Sequence, residues 1–506
     1  MGKSHKKKWG PPPPSSVLVV ASLLFSACAA ERPLSEVPPA DTPAAVFAAG
    51  YGGIVAKYIE PRTARELALE SLEGLADADP ALNLKVQGRL LRLSRDDRLL
   101  RVGVAPPPQS IDGWADLSAD FLAVSLANQP AGADRDAFMA AMFDRALGSL
   151  DEYSRYAAAP QAQRQREKRK GYSGVGLHVH AFEGVVLVTD VIPGSPANKA
   201  GIRTSDELLK INGLSVDGLD IDDVHDWLRG PVSSRLDLVL RRPDAAEPFE
   251  VTLHRRHIFA PTVEYKHRDS IAHIQLSGFN RDTARSLTRH LQKIPEKTGK
   301  PLRGIVFDLR DNPGGLMDQA IAVADLFLES DGIIYTRGRH PNSSQTYSAA
   351  PGDISGGVPM VVLLNGKSAS SAEIVAAALQ TRHRALVVGS RSYGKGTVQT
   401  VIPLPNGAEI TLTWSLLYTP SGEPLNQLGV LPDICTAGLK EKAPSPLRAL
   451  AGGKSAGKTA CPTAHAESPL DLPIAEELLG NAALYASLLQ ETHEEIAATA
   501  KPPPGN

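Results

Sequence analysis

The sequence lacks the features that mark several common protein classes. Only 3 of its 506 residues are cysteine and the formal net charge is −2, so neither a cysteine-rich scaffold nor a nucleic-acid-binding surface is indicated. The apolar run at residues 17–27 is too brief to span a bilayer, and no repeat of solenoid length recurs. What is present is ordinary for globular protein: 42% apolar and 22% charged residues, in a length that suits about two to four domains.

The first 30 residues have the layout of a secretory signal. Lysines at 6–8 form a cationic head, the apolar run 17–27 follows, and small residues end the segment. Two processing patterns fit: lipid attachment at Cys28, as in a bacterial lipoprotein, and ordinary cleavage after Ala29 or Ala30. Either pattern predicts export to the bacterial cell envelope or periplasm, secreted or tethered to the membrane by an N-terminal lipid.

Export changes the interpretation of the remaining cysteines, Cys435 and Cys461. In an oxidising compartment the two can pair, and a disulfide closing that loop would stabilise the fold by roughly 3 kcal/mol through chain entropy. A pair of free thiols is the alternative.

Residues 367–399 carry the residue types of a catalytic cassette. Ser370 lies where a loop is predicted to become an Ala-rich helix, so it would face unpaired amides and the positive end of the helix dipole. Lys395 lies between Gly394 and Gly396, which permit a tight turn. A lysine in a dry site can lose its proton and act as a base toward a serine hydroxyl.

Three simpler interpretations compete. Ser370 and Glu373 fit a Ser-x-x-Glu capping box, in which the serine only caps the helix. Lys395 can be a solvated turn lysine. Residues 389–395 fit the Gly-x-x-x-x-Gly-Lys pattern of a phosphate-binding loop, but Gly396 replaces the required Ser or Thr, and the β-branched residues that follow predict a strand rather than a helix.

At these residues the sequence resembles the carboxy-terminal processing, or tail-specific, proteases, which are Ser-Lys peptidases with an embedded PDZ domain. The resemblance is carried by Ser-Ala-Ser-Ser-Ala-Glu-Ile at 368–374 and Tyr-Gly-Lys-Gly-Thr-Val-Gln at 393–399. It implies that Ser370 is the nucleophile, that Lys395 is the base and that Gln399 orients Lys395.

A second family hallmark, Asp-Leu-Arg-x-Asn-Pro-Gly-Gly, is matched at 308–315. A strand that runs into this turn and then into a helix exposes backbone amides, which suits an oxyanion hole. The resemblance implies that the amide of Gly314 or Gly315, with that of Ser371, holds the oxyanion. The chain reads Ser-Ala after Ser370 where the family reads Ala-Ser, so Ser371 is a competing candidate for the nucleophile.

Residues 173–257 resemble a PDZ domain, a β-rich module with two helices. Its carboxylate-binding loop is matched by four consecutive residues, Gly174, Val175, Gly176 and Leu177. The resemblance implies that an extended protein tail adds a strand to this domain and that its last apolar side chain fills a pocket. His178 and His180 share a face of a predicted strand, but no third ligand is evident, so no metal site is predicted.

Between the leader and the PDZ segment, the chain shows mainly helical periodicity. Residues 84–104 are ambiguous between helix and strand. Asp-Glu-Tyr-Ser-Arg-Tyr at 151–156 resembles the signature that precedes the PDZ domain in the family, and the charged run at 164–170 predicts a solvated helix face.

The predicted fold class is α/β multidomain, with a helical N-terminal domain, a PDZ domain and an αβ protease core of the ClpP/crotonase-like type. The expected segments are a signal peptide (1–30), a flexible linker (31–45), the helical N-terminal domain (46–172), the PDZ domain (173–257), the Ser-Lys core (258–438), a second linker (439–472) and a C-terminal helical tail (473–506).

The function implied is that of a serine endopeptidase cleaving envelope proteins near their C-terminal ends, through an acyl-enzyme and without a cofactor. Expected partners are protein tails, an adaptor or activator protein and a second copy of the chain in a homodimer; nucleic acid is not expected. The alternative is a non-catalytic PDZ scaffold of the cell envelope.

Overall fold

The computed structural model of the protein describes residues 41–129, 134–268, 270–298, 302–439 and 461–499. The predicted signal peptide, with Cys28, and most of the first predicted linker lie outside the described residues. Among the described residues, no helix combines the length and the apolar character needed to cross a bilayer.

The α-helices of the described residues are α1 Pro43–Lys57, α2 Ala64–Ala78, α3 Ile111–Ala127, α4 Arg135–Gly148, α5 Ala159–Lys170, α6 Pro196–Lys199, α7 Ile221–Leu228, α8 Thr283–Thr298, α9 Met317–Asp325, α10 Ser371–Thr381, α11 Asp471–Gly480 and α12 Ala482–Thr499. A 3-10 turn covers Pro341–Ser343.

The strands are β1 Leu82–Gln87, β2 Leu90–Arg95, β3 Arg98–Val104, β4 Arg155–Ala157, β5 Tyr172–Gly174, β6 Leu177–Phe182, β7 Val185–Val191, β8 Glu207–Ile211, β9 Leu214–Ser215, β10 Arg235–Arg241, β11 Phe249–His254, β12 Arg256–Ile258, β13 Val263–Arg268, β14 Ile271–Leu276, β15 Gly304–Asp308, β16 Gly332–Arg337, β17 Gln345–Ser348, β18 Met360–Leu364, β19 Leu386–Gly389, β20 Thr397–Pro403, β21 Glu409–Tyr418 and β22 Ile434–Cys435.

The N-terminal region is mixed rather than wholly helical. Helices α1–α4 bury large apolar side chains such as Phe47, Trp114 and Phe143, while the ambiguous segment forms the antiparallel sheet β1-β2-β3. Alternate residues of β2, Leu91 and Leu93, are buried, and this period of two is what a half-buried strand requires. The sequence left residues 84–104 open between helix and strand because a short leucine-rich run fits both periods.

The same apolar core includes side chains from β20 and β21, so the N-terminal helices pack directly on the hairpin that follows Lys395. Strand β4 pairs with β21, which brings residues 151–156 to the same hairpin.

Residues 172–258 form a β-rich module with its own core. Its sheet has the order β11-β10-β8-β7-β6, with β9 paired to β8, and α6 and α7 contribute Ala197, Val224 and Leu228 to the core. The module begins and ends at the paired strands β5 and β12. Asn212 and Gly213 both have positive φ, 50° and 82°, as a tight hairpin turn requires.

The remaining core is a sheet of order β13-β14-β15-β18-β19-β22, parallel from β14 onward. Helices α8–α10 cover one face and α11–α12 the other. Because both faces are covered, β18 is buried throughout. The assignment to the ClpP/crotonase-like type stays a prediction.

Both predicted linkers contain ordered residues. Helix α1 begins at Pro43, inside the first linker. Residues 461–471, assigned to the second linker, are hydrogen-bonded to the core and lead into α11. Their glycine- and serine-rich neighbours misled the sequence interpretation, because the contacts that order them come from distant loops.

Candidate active site

Three loops with the predicted site residues leave one edge of the parallel sheet. They follow β15, β18 and β19 and contain residues 309–316, 365–370 and 390–396. The carboxyl ends of neighbouring parallel strands share an edge, which is where α/β sheets commonly carry their sites. The chain thus brings together motifs that are far apart in sequence.

Ser370 immediately precedes α10 in a strained conformation, with φ 55° and ψ −112°. A non-glycine residue in such a region costs about 1–3 kcal/mol, and such strain clusters at functional sites. The Ala369 amide donates to the Asn312 carbonyl at 2.9 Å, and the Ser370 amide donates to the Glu373 carboxylate at 2.7 Å. The second contact is the backbone half of the predicted capping box.

Glu373 does more than cap the helix. Its fully buried carboxylate accepts hydrogen bonds from the amides of Ser370, Gly394 and Lys395 at 2.7, 2.7 and 3.0 Å, and from the Ser392 hydroxyl at 2.5 Å. Burial raises the pKa of Glu373, against the hydrogen bonds, which lower it. One side chain therefore joins the loop of the candidate nucleophile to the loop of the candidate base.

The Lys395 amine is half-buried and lies 4.8 Å from the centroid of the Tyr153 ring. Burial, followed by the charge of Arg155, lowers the pKa of Lys395, while Asp151 and Glu152 act in the opposite direction. Tyr153 lies in the predicted signature at 151–156, but nothing in that motif indicated contact with the lysine.

Ser370 and Lys395 are neighbours through their loops rather than through their side chains. Among the described residues, no hydrogen bond joins the Ser370 hydroxyl to the Lys395 amine. The Gln399 side chain, predicted to orient Lys395, donates instead to the Thr397 hydroxyl at 2.7 Å. Its orienting role stays a prediction.

The candidate oxyanion amides differ in availability. The Gly314 amide donates to the Asn312 side-chain oxygen at 2.9 Å. Within the described part of the chain, the amides of Gly315 and Ser371 donate no hydrogen bond. A Cβ on Gly314 would lie 2.9 Å from the Ser371 nitrogen and 2.9 Å from the Ser370 Cβ. The glycine turn therefore lies against the start of α10, with two amides unused.

Ser371 is a poor competitor for the role of nucleophile. Its side chain is buried, with 1% of the residue exposed, and its hydroxyl donates to the Gly315 carbonyl at 3.1 Å. That bond fixes the glycine turn to the helix.

A groove of about 550 Å³ runs beside the predicted carboxylate loop. Val175, Leu177 and Leu228 supply apolar lining, and Gly176 has φ 81°, with no room for a Cβ against Ser195. Helix α5 lines the same groove through Pro160, Gln163, Arg164 and Glu167.

The charged run on α5 is only partly a solvated face. Arg166 and Arg169 form ion pairs of 3.0 and 2.7 Å with the buried Glu409 of β21, and Glu167 pairs with Arg229 at 3.0 Å. The sequence could not show these ion pairs because Glu409 and Arg229, the partners of the α5 side chains, are remote along the chain.

Two competing motifs find no support in the geometry. The segment after Lys395 is strand β20, whereas a phosphate-binding loop needs a helix there. His178 and His180 are exposed on β6, and among the residues that the structure describes no group of three or more His, Cys, Asp or Glu is placed to hold a metal ion.

Cys435 and Cys461 form a disulfide, with their Cα atoms 5.9 Å apart. It joins the end of β22 to the segment that precedes α11.

Comparison with known proteins agrees with these motifs. Residues 270–436 match the model of Peptidase family S41, and residues 187–242 match the model of the PDZ domain.

Named relatives include the carboxy-terminal-processing protease of Bartonella bacilliformis, 39% identical over 291 residues, which are 57% of this chain and 67% of the relative. The carboxy-terminal processing protease CtpA of Bacillus subtilis is 34% identical over 57% of this chain and 61% of its own length, so less than two thirds of that relative is spanned. A solved structure of a photosystem II D1 C-terminal processing protease is 26% identical, with a TM-score of 0.37, over 73% of this chain and 92% of that one. The chain belongs to the carboxy-terminal-processing protease family.

Proposed function

We propose that the protein is a serine endopeptidase that cleaves envelope proteins near their C-terminal ends, with Ser370 as nucleophile and Lys395 as base. The observation that carries the proposal is the Glu373 carboxylate, which binds the amides of both residues and so holds the two loops side by side. The division into an N-terminal domain (46–172), a PDZ domain (173–257) and a protease core (258–438) is part of the proposal.

In the proposed mechanism, neutral Lys395 takes the proton of the Ser370 hydroxyl, and Ser370 attacks the substrate carbonyl. The lowered pKa of Lys395 favours the neutral amine that this step needs. The amides of Gly315 and Ser371 hold the oxyanion, and a donor of this kind is typically worth roughly 3 kcal/mol. Lys395 then protonates the leaving amine, and water releases the acyl group. No cofactor takes part.

The groove beside Gly176 is the proposed binding site of the substrate tail. The tail would add as a strand, its carboxylate facing the loop amides and its last apolar side chain facing Val175, Leu177 and Leu228. An adaptor protein, a homodimer partner and a lipid tether at Cys28 stay predictions, as does the location in the cell envelope.

We further propose that the arrangement described is a resting state. The Lys395 amine lies on the Tyr153 ring, and the chain runs from Tyr153 through β4 into α5, which lines the tail groove. A tail that displaces α5 would move Tyr153 and release the amine toward Ser370.

The assignment of the dyad is tested with single variants. Ser370→Ala and Lys395→Ala should each reduce cleavage of an unstructured, tailed substrate to background, with unchanged circular dichroism. Ser371→Ala is the matched control: it loses the bond to the Gly315 carbonyl but should keep activity well above background. A serine-acylating reagent, mapped by mass spectrometry, should label Ser370. Wild-type activity in Ser370→Ala would show that the nucleophile is misassigned, and an unlabelled, inactive protein would favour the scaffold alternative.

The resting-state proposal is tested with an untailed peptide substrate. A separate peptide with an apolar C-terminal residue should accelerate its cleavage by the wild type, and Tyr153→Leu should raise the rate without that peptide and diminish the acceleration. Tyr172→Leu is the comparison variant for these rates, because Tyr172 lines the groove away from Lys395. A lower basal rate in Tyr153→Leu would contradict the proposal.

A further inference from the structure

The segment between the disulfide and α11 lies against the starts of all three loops of the candidate site. We name residues 461–471 the C-terminal strap. The Ala464 carbonyl accepts the Gly366 amide at 2.7 Å and the Ser390 hydroxyl at 3.0 Å, and the Pro462 carbonyl accepts the Arg391 amide at 3.3 Å. Gly366 begins the segment that leads to Ser370, and Arg391 lies four residues before Lys395.

The third loop is reached through ion pairs. Asp471 and Glu467 lie 3.3 and 2.9 Å from the guanidinium of Arg310, which begins the turn that ends at Gly314-Gly315. Asp471 also accepts the Thr436 hydroxyl at 2.6 Å, next to Cys435. The strap is thus attached to every loop that carries a proposed catalytic group.

Gly366 shows how closely the strap approaches. A Cβ at this position would lie 2.6 Å from the Thr463 methyl carbon and 3.0 Å from the Ala464 backbone. A side chain at 366 would therefore push the strap away. The close approach, rather than an unusual φ, explains the glycine.

The disulfide fixes the beginning of the strap. Cys461 is buried, with 1% exposed, and is bonded to Cys435 in β22, a strand that pairs with β19 just before the Lys395 loop. The covalent bond therefore links the strap to the strand next to the loops that it contacts.

We propose that the disulfide-anchored strap is a positioning element of the protease, so that full turnover requires the Cys435–Cys461 bond. The inference rests on the proposed function of Ser370 and Lys395. Formation of the bond removes two protons and two electrons from the thiols. A disulfide of a second protein accepts them by thiol–disulfide exchange and becomes a dithiol. Such exchange belongs to exported proteins, so the enzyme would gain full activity only after export.

The experiment compares the oxidised full chain, the same protein reduced by dithiothreitol, and the double variant Cys435→Ser, Cys461→Ser. Dithiothreitol gives two protons and two electrons to the sulfurs and becomes its cyclic disulfide. Reduction should lower kcat at least tenfold with KM changed less than twofold, since small misplacements of reacting groups have large effects on rate and the tail groove does not contact the strap. Rates are divided by the folded fraction, measured by circular dichroism, and by the number of active sites, counted with the acylating reagent.

Ser390→Ala removes the strap's contact with the Ser390 hydroxyl while keeping the disulfide, and should lower kcat in the same direction by a smaller factor. The double variant should match the reduced protein and be insensitive to dithiothreitol, which controls for Cys28. An active oxidised enzyme whose kcat is unchanged by reduction overturns the strap proposal alone. An oxidised protein that neither cleaves nor is labelled at Ser370 overturns the proposed function, and the strap proposal with it.

Discussion

Replacing Glu373 by glutamine tests the connection between the two catalytic loops. Each carboxylate oxygen accepts two hydrogen bonds, one oxygen from Ser370 and Lys395, the other from Gly394 and Ser392. With the glutamine oxygen toward Ser370 and Lys395, its NH₂ faces the Gly394 amide, which is a donor, and the Ser392 hydroxyl, which can turn to accept, so one bond is lost. Bonds to a charged group are worth about 1.5–3 kcal/mol each, which predicts a loss of about 1.5–3 kcal/mol in the free energy of unfolding.

Glu373→Gln should also slow catalysis. With the two loops held by fewer hydrogen bonds, we expect the rate of Ser370 acylation to fall by about 100-fold in protein that is still folded, as for a misplacement of about 1 Å. Urea unfolding gives the stability, and single-turnover acylation below the transition gives the rate.

Asp353→Asn is the matched control for Glu373→Gln. The side chain of Asp353 is also buried, 4% exposed, and it accepts from Arg384 and the Ser355 amide at 2.8 and 2.7 Å, but it contacts none of the three loops. It should lower stability and leave the acylation rate within about threefold. If Glu373→Gln also keeps the wild-type acylation rate, the argument from the shared carboxylate is wrong.

Three further outcomes are expected. If Lys395 is the base, kcat/KM rises with pH through the lowered pKa of Lys395. Arg155→Gln removes a repelling charge, raises that pKa and should move the rise to higher pH, while Glu152→Gln should move it to lower pH. If the pH–rate profiles of both variants shift in the same direction, Lys395 is not the base. Gly314→Ala, at φ 96° and 2.9 Å from the Ser370 Cβ, should reduce kcat by about 100-fold in a folded protein, as steady-state kinetics will show. Reduction of the disulfide, which joins residues 26 apart, should lower the free energy of unfolding by about 3.5 kcal/mol. Urea titration measures this loss, with the double serine variant as the comparison.

The sequence predicted the parts of the site that depend on local pattern. The helix after Ser370, the strand before Asn312 and the strand after Lys395 each follow from periodicity and β-branching within a few residues. Residue types and order in these motifs were enough to place the chain in its family, which comparison with the S41 model confirmed.

What the sequence did not predict depends on contacts between distant residues. The capping pattern of Ser370 and Glu373 is local, but the bonds from Glu373 to Lys395 and Gly394 join residues about 20 positions apart and have no sequence signature. The contact of Tyr153 with Lys395 spans more than 200 positions. The Tyr153 contact forms only when the N-terminal region packs on the β20–β21 hairpin.

The two kinds of contact at Lys395 also differ in strength, and this difference suggests how the site could be switched. When the Lys395 amine is protonated, its cation–π contact with the Tyr153 ring is worth about 0.5–2 kcal/mol. The backbone is held by a hydrogen bond to a buried carboxylate, worth about 1.5–3 kcal/mol, in a network of four. A tail that binds the active state tenfold more tightly supplies about 1.4 kcal/mol. That is comparable with the cation–π contact and far below the network of four, so activation would need a rotation of the lysine side chain about a backbone that stays in place.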